Sequence, residues 1–154
     1  FKSTVFLLNF DFIHAINNAN YADELFQWVT AHLDEPLAPM VYATVPADEL
    51  KQIQTEFGVE KASHSIENTF AQLAAKLKQA GVTNFINAGG ETSSIVVQQL
   101  GFTGFHIGKQ IVPGVPWLKA INDEDNVAKP IYLALKSGNF GKEDFFEYAQ
   151  GMFV

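Results

Sequence analysis

Strand-like and helix-like periods alternate over the first hundred residues, and few architectures accommodate that alternation. Thr4-Val5-Phe6-Leu7-Leu8 is rich in β-formers and reads as a strand. Over residues 20–33 the period changes to four: Tyr21, Leu25, Val29 and Leu33 recur, with Phe26 beside them. That spacing predicts an amphipathic helix, with Asn20 as N-cap and Asp23 and Glu24 where the helix dipole favours negative charge. "APMVYATV" (38–45) is a second buried strand. "PADELKQIQTEFG" (46–58) follows as a helix between Pro46 and Gly58. Residues 63–80 give the clearest helical face, Ile66, Phe70, Leu73 and Leu77, stopped by Gly81. "VTNFINA" (82–88) is a third strand, and residues 94–100 can carry a short helix with Ile95 and Val96 inward. The expected fold class is α/β: layered, with a largely parallel sheet flanked by helices.

After residue 100 the texture changes. "GFTGFHIGKQIVPGVPWLKAI" is strand-like and broken by glycines and prolines, so short strands and turns are expected. Residues 122–130 read as a polar loop, 130–136 as a last strand and 142–151 as a last helix. No internal repeat and no linker divides the chain. Its 154 residues fit one domain that buries roughly 70% of its unfolded surface.

Composition narrows the function classes. Hydrophobic residues make up 47% and charged residues 18%, an ordinary globular balance. The net charge of −7 argues against a sequence-independent grip on nucleic acid, which needs a basic surface. It does not argue against a nucleotide, which local N–H groups and Mg²⁺ can hold. There are no cysteines, which excludes disulfides, thiolate metal sites and a cysteine nucleophile. No stretch reaches the roughly 18 apolar residues of a membrane helix, and none has the form of a secretory signal. No membrane partner and a cytoplasmic setting are expected. The chain opens at Phe1 inside an apolar run, so residues upstream are expected.

Three punctuated segments could carry chemistry. In "GGETS", Gly89 and Gly90 would let the backbone approach a phosphate, and Thr92 and Ser93 would add hydroxyls. Glu91 could hold Mg²⁺ or a ribose hydroxyl. The plainer reading is a strand-to-helix turn with a Ser or Thr cap, and both stay open. The segment is neither GxxxxGK[ST] nor GxGxxG, although ligands of open α/β sheets do bind beyond the carboxyl ends of strands. "PGVPW" (113–117) reads first as a rigid turn with Trp117 in the core, and second as an apolar wall for a base. In "LKSGNFG" (135–141), Lys136 could offer a cation and Gly138 a close backbone approach, or the turn merely precedes the last helix. His14, His32, His64 and His106 have no ligand spacing, so no metal site is expected from them. His32 and His64 are expected to face solvent, and His106 to be a hydrogen-bonded core residue. The fourteen phenylalanines form no single-strand stacking platform.

The order of these segments is more specific than any one of them. "GGETS", then "LGFTGFHIGKQIVPGVPW", then "LALKSGNFGKEDFF" resembles the nucleotide-binding C-terminal half of the four-carbon acid sugar kinase family. Within that family it is most similar to the 3-oxo-tetronate kinases. The resemblance extends through "LAPMVYAT" and "KASHSIENTFAQLAAKL" and covers most of the chain. It implies a two-domain kinase with ATP and Mg²⁺ as cofactors, phosphorylating the terminal 4-hydroxyl of a four-carbon sugar acid. It places nucleotide contacts on Gly89, Gly90, Glu91, Thr92, Ser93 and Gly138. The implied partner is the N-terminal substrate-binding domain of the same kinase, and a homodimer is compatible with it.

The sequence also departs from that pattern. The N-terminal domain, with the Asp-rich motif expected to supply the catalytic carboxylate, is absent. So is the serine-rich turn that normally precedes the strand at residue 4. Ser94 stands where relatives often have glycine, which narrows the backbone freedom of the turn. Residues 1–154 are therefore read as the C-terminal nucleotide-binding domain, inactive alone. The alternative is a non-catalytic α/β module that binds a small anion or nucleotide.

Overall fold

The computed structural model describes residues 7–122, 129–138 and 140–152. The chain divides into two compact units, residues 1–73 and 74–154. The α/β expectation holds in both.

In the first unit, strand β1 (Leu7–Asn9) pairs in parallel with β2 (Met40–Tyr42), Leu8 opposite Val41. Residues 4–6 of the expected first strand lie outside the described residues. Between the strands stand helices α1 (Phe12–Asn17) and α2 (Tyr21–Ala31). No helix is expected at α1 from periodicity, because six residues are too few to show a period. Its signal is the cap: Asp11 accepts from the His14 N–H at 2.8 Å. α2 buries Tyr21, Leu25 and Val29 as the spacing predicts, but Leu33 lies past the helix end and is exposed. Asn20 occupies the N-cap position and makes no side-chain capping bond.

Helix α3 (Ala47–Phe57) runs between Pro46 and Gly58, and α4 (Val59–Gln79) begins directly after that glycine. α4 is thus four residues longer at its start than its clearest apolar stripe. Its most buried positions include Ala62, Thr69, Ala71 and Ala74 beside Leu73, while Ile66, Phe70 and Leu77 are half-buried.

An aromatic cluster closes this unit. The Phe10 ring lies 5.2 Å from Phe12, 5.3 Å from Tyr21 and 5.6 Å from Phe70. The Tyr21 hydroxyl oxygen accepts from the Asp11 N–H at 2.9 Å. Burial raises the Tyr21 phenol above its ordinary value of 10.0; the backbone bond from Asp11 lowers it, and the Asp11 and Glu24 charges raise it further. The phenol's contribution to stability is intact below pH 10.0. It is lost as pH climbs towards the raised value, because the unfolded phenol ionises first. Tyr21→Phe is expected to cost about 1 kcal/mol through the orphaned Asp11 N–H, and to remove this alkaline loss. Thermal melts of both proteins from pH 7 to 11 check both effects.

In the second unit a four-stranded sheet has the order β3-β6-β5-β4. β3 (Asn84–Ala88) and β6 (Tyr132–Lys136) are parallel. β4 (Gly104–Val112) and β5 (Val115–Ile121) form an antiparallel hairpin, and β5 is antiparallel to β6. The sheet is therefore mixed, and β4, with nine residues, is longer than the short strands expected there. Helix α5 (Gly90–Leu100) packs on β3 and β6. Helix α6 (Phe145–Gly151) covers the other face, where Ile111, Val115, Trp117, Ala134, Phe145 and Ala149 form a core. The Trp117 indole N–H donates to the Ala149 carbonyl at 3.3 Å, so Trp117 is the core residue of its turn. Leu133, fully buried, has opposite parity to Ala134 and serves the α5 face. His106 does not sit in a core: β4 is an edge strand and leaves it exposed. His64 is exposed, whereas His32 is half-buried with Nδ1 2.7 Å from the Trp28 carbonyl. Residues 123–128 of the expected polar loop lie outside the described residues.

Candidate functional site

Parallel pairing of β3 with β6 sets Ala88 opposite Lys136, so both strands end at the same edge. "GGETS" leaves β3 there and "SGNFG" leaves β6 there. The two turns are joined directly: the Gly89 N–H donates to the Lys136 carbonyl at 2.8 Å. β5 runs antiparallel to β6, with Trp117 opposite Ala134. Its Val115 end, and the Pro113–Gly114 hairpin turn before it, therefore face the Lys136 end of β6. The three segments singled out in the sequence thus meet at one sheet edge. A Cβ on Gly114 would stand 2.7 Å from Cε1 of Phe140, so the hairpin turn touches the second glycine turn.

The expected contacts divide between turn and helix. Gly89 is the N-cap of α5, with φ 100° and ψ 133°, a conformation that side chains disfavour. Gly90, Glu91, Thr92 and Ser93 are not a turn before the helix; they are its first turn. The first intrahelical bond runs from the Ser93 N–H to the Gly89 carbonyl at 3.0 Å. The N–H groups of Gly90, Glu91 and Thr92 therefore have no intrahelical acceptor. Glycine at the cap supplies no side-chain oxygen to cover them. Thr92 is half-buried, its Oγ1 3.7 Å from where a Gly89 Cβ would lie. Glu91 is exposed and is the acidic residue of the first turn. Ser94, also helical, donates its hydroxyl to the Gly90 carbonyl at 3.0 Å.

Two polar side chains near this helix start have buried atoms without partners: Ser93 Oγ and Asn87 Nδ2. Such orphans cost free energy unless a ligand or water meets them. Sequence reasoning marked Ser93 but not Asn87, whose signal is its place two residues before Gly89 on β3.

Gly138 lies in the second turn, and a Cβ there would meet nothing within 4 Å. The Lys136 ammonium donates to the carbonyls of Ser137 at 3.2 Å and Gly138 at 3.1 Å. It also sits 5.8 Å from the Phe145 ring centroid. The backbone bond from Gly89 to Lys136 sets the Lys136–Gly138 turn beside the uncapped start of α5, and uncapped helix N–H groups suit an anion.

The edge is an open rim. A cavity of about 200 Å³, lined by Gly108, Lys109, Trp117, Lys119, Tyr132 and Met152, lies elsewhere. Its Tyr132 opens β6 whereas Lys136 closes it, about 13 Å along the strand. Among the described residues no group of three or more His, Asp or Glu side chains could hold a metal, and no helix is long and apolar enough to cross a membrane.

Known proteins resemble this chain over most of its length. The family model described as "Nucleotide-binding C-terminal domain" matches residues 3–146. The chain belongs to that family. A 3-oxo-tetronate kinase of Actinobacillus succinogenes is 79% identical over 144 residues, covering 94% of this chain and 33% of the relative. A 3-oxo-tetronate kinase of Haemophilus influenzae is 73% identical over the same shares. The crystal structure of a Haemophilus influenzae protein matches with a TM-score of 0.90 and 70% identity, over 98% of this chain and 35% of that one. The chain spans about a third of the length of these curated relatives, which therefore carry further chain beyond the nucleotide-binding C-terminal domain.

Proposed function

We propose that this chain is the ATP-binding half of a kinase that transfers the γ-phosphate of ATP to the 4-hydroxyl of a four-carbon sugar acid, of the 3-oxo-tetronate, threonate or erythronate type. One observation carries the reading: the uncapped start of α5, over two buried orphan atoms, lies beside the Lys136 turn. Phosphate oxygens would accept from the N–H groups of Gly90, Glu91 and Thr92, with the helix dipole behind them. The Gly138 turn and the Lys136 ammonium would flank the phosphate chain from the β6 side.

Glu91 decides whether Mg²⁺ fits. Its carboxylate stands in the first turn of α5, where a phosphate would meet a like charge unless a cation lay between them. A hard divalent ion with oxygen ligands suits that place. When bound, Mg²⁺ supplies charge neutralisation to the phosphate oxygens. Everything else the chain does is positioning. Phosphoryl transfer passes through a loose transition state, so holding the triphosphate in line and stabilising its charge is most of the catalysis. The N-terminal substrate-binding domain would bring the sugar hydroxyl and accept its proton, and closure would exclude water.

The test is ADP release by the full-length protein with ATP, Mg²⁺ and each four-carbon acid, with ³¹P NMR to locate the new phosphate ester. Acid-dependent ADP formation with the phosphate on C4 is expected, and none from this chain alone. Nucleotide binding without transfer to any acid would leave the binding-module reading standing and sink the kinase one.

A further inference from the structure

Phe140 has a position that no nucleotide contact above accounts for. It is a large apolar side chain left 43% exposed, two residues beyond Gly138. Two residues of chain span at most about 7 Å, so the ring stands beside the turn assigned to the phosphates but off it. Its place is set from two sides. The Phe140 N–H donates to the Ser137 carbonyl at 3.2 Å, closing a tight turn. The ring edge rests on Gly114, where a Cβ would lie 2.7 Å from Cε1 and 3.2 Å from Cδ1. Gly114 itself has φ 83°, so both its backbone and its missing side chain make room for this ring. The hairpin turn is shaped around Phe140, yet the ring is not taken into the α6 core beside it.

We infer that Phe140 is the aromatic surface on which the base of the bound nucleotide stacks, resting on the reading of the edge as a nucleotide site. A nucleotide is long: phosphates at one end, a planar base at the other, a sugar between. With phosphates over the α5 start and Gly138, the base projects past the Ser137–Gly138 turn, and Phe140 is the exposed aromatic there. A ring face in water is costly to leave bare, and a purine of similar width covers it. Stacking of this kind accepts any base, so the residue contributes affinity more than selectivity. The Pro113–Gly114 turn is then not itself the wall. It is the backing that holds the wall in place.

The test uses the full-length protein and two probes in calorimetric titration with Mg²⁺: ADP, and inorganic tripolyphosphate, which has no base. Phe140→Ala is expected to weaken ADP binding by about 5- to 150-fold, the range that stacking on one aromatic supplies. Phe140→Trp is expected to retain it, and tripolyphosphate is expected to bind all three proteins alike. Equal losses of ADP and tripolyphosphate in Phe140→Ala would make the ring a structural support of the turn and overturn the inference. Unchanged ADP binding in Phe140→Ala, with the wild type binding normally, would overturn it too. A wild type that binds neither probe would overturn the nucleotide reading itself, and this inference with it.

Discussion

Gly90→Val is expected to weaken Mg-ADP binding by about 100-fold while the protein melts within about 3 °C of the wild type. The fold should survive because the position is unstrained. Gly90 is the first residue of α5, does not have a positive φ, and has open space within 4 Å of an added Cβ. A valine there replaces the residue with nearly the poorest helix propensity and breaks no intrahelical bond. Binding should fail because that open space is where phosphate oxygens must come. Losing two charge-assisted hydrogen bonds at about 1.5 kcal/mol each removes about 3 kcal/mol, or roughly two decades of affinity. Gly89→Ala would be a poor substitute: with φ 100° it strains the backbone, and its loss of binding would not be separable from loss of structure. A titration in which Gly90→Val binds Mg-ADP as the wild type does, with the wild type saturable, would move the phosphate site away from α5.

The segments that meet at this edge are each legible in the sequence as local turns, and their meeting is not. "GGETS" announces itself by glycines after a β-forming run, and "SGNFG" does the same after Tyr132–Lys136. What joins them is the strand order β3-β6-β5-β4, which pairs Ala88 with Lys136 across 48 residues of chain. No periodicity encodes a pairing that distant; it depends on which apolar faces are left over once the helices have packed. The same limit explains His106. A residue within a strand reads as interior, but β4 falls at the sheet edge and leaves it in water. The start of α5 fails for another reason. Two glycines suggest a turn, yet Gly90 at the first helical position donates no intrahelical bond, so its weak propensity matters little there. Asn87 and Phe140 look ordinary in sequence. Only burial marks the first, as an orphaned amide, and only exposure marks the second, as an aromatic beside a core.

Phe145→Ala is expected to be the most destabilising change at the site, and to separate the support of the edge from its chemistry. Phe145 is 1% exposed and belongs to the core between α6 and the sheet. Truncating such a ring costs about 3–5 kcal/mol through lost burial and the cavity left behind. For a chain of this size that lowers Tm by roughly 6–20 °C. The ring also carries the second glycine turn. A Cβ on Gly141 would lie 2.8 Å from its Cδ2, and the Lys136 ammonium sits 5.8 Å above it. Without that ring, Gly141 loses the surface it rests on, and Lys136 loses its aromatic neighbour. Folded Phe145→Ala protein, titrated well below its melting point, should therefore bind Mg-ADP about 10-fold more weakly, the equivalent of about 1.4 kcal/mol. Leu25→Ala is the matched control: Leu25 is 1% exposed, as Phe145 is, and belongs to α2 in the first unit. It should lose about 2–5 kcal/mol of stability and, once folded, keep its nucleotide affinity. Equal affinity losses in both variants would mean that the edge responds to global loosening alone. A Tm drop under about 3 °C for Phe145→Ala would mean that α6 is not part of the cooperative core, and the turn it underlies would need another support.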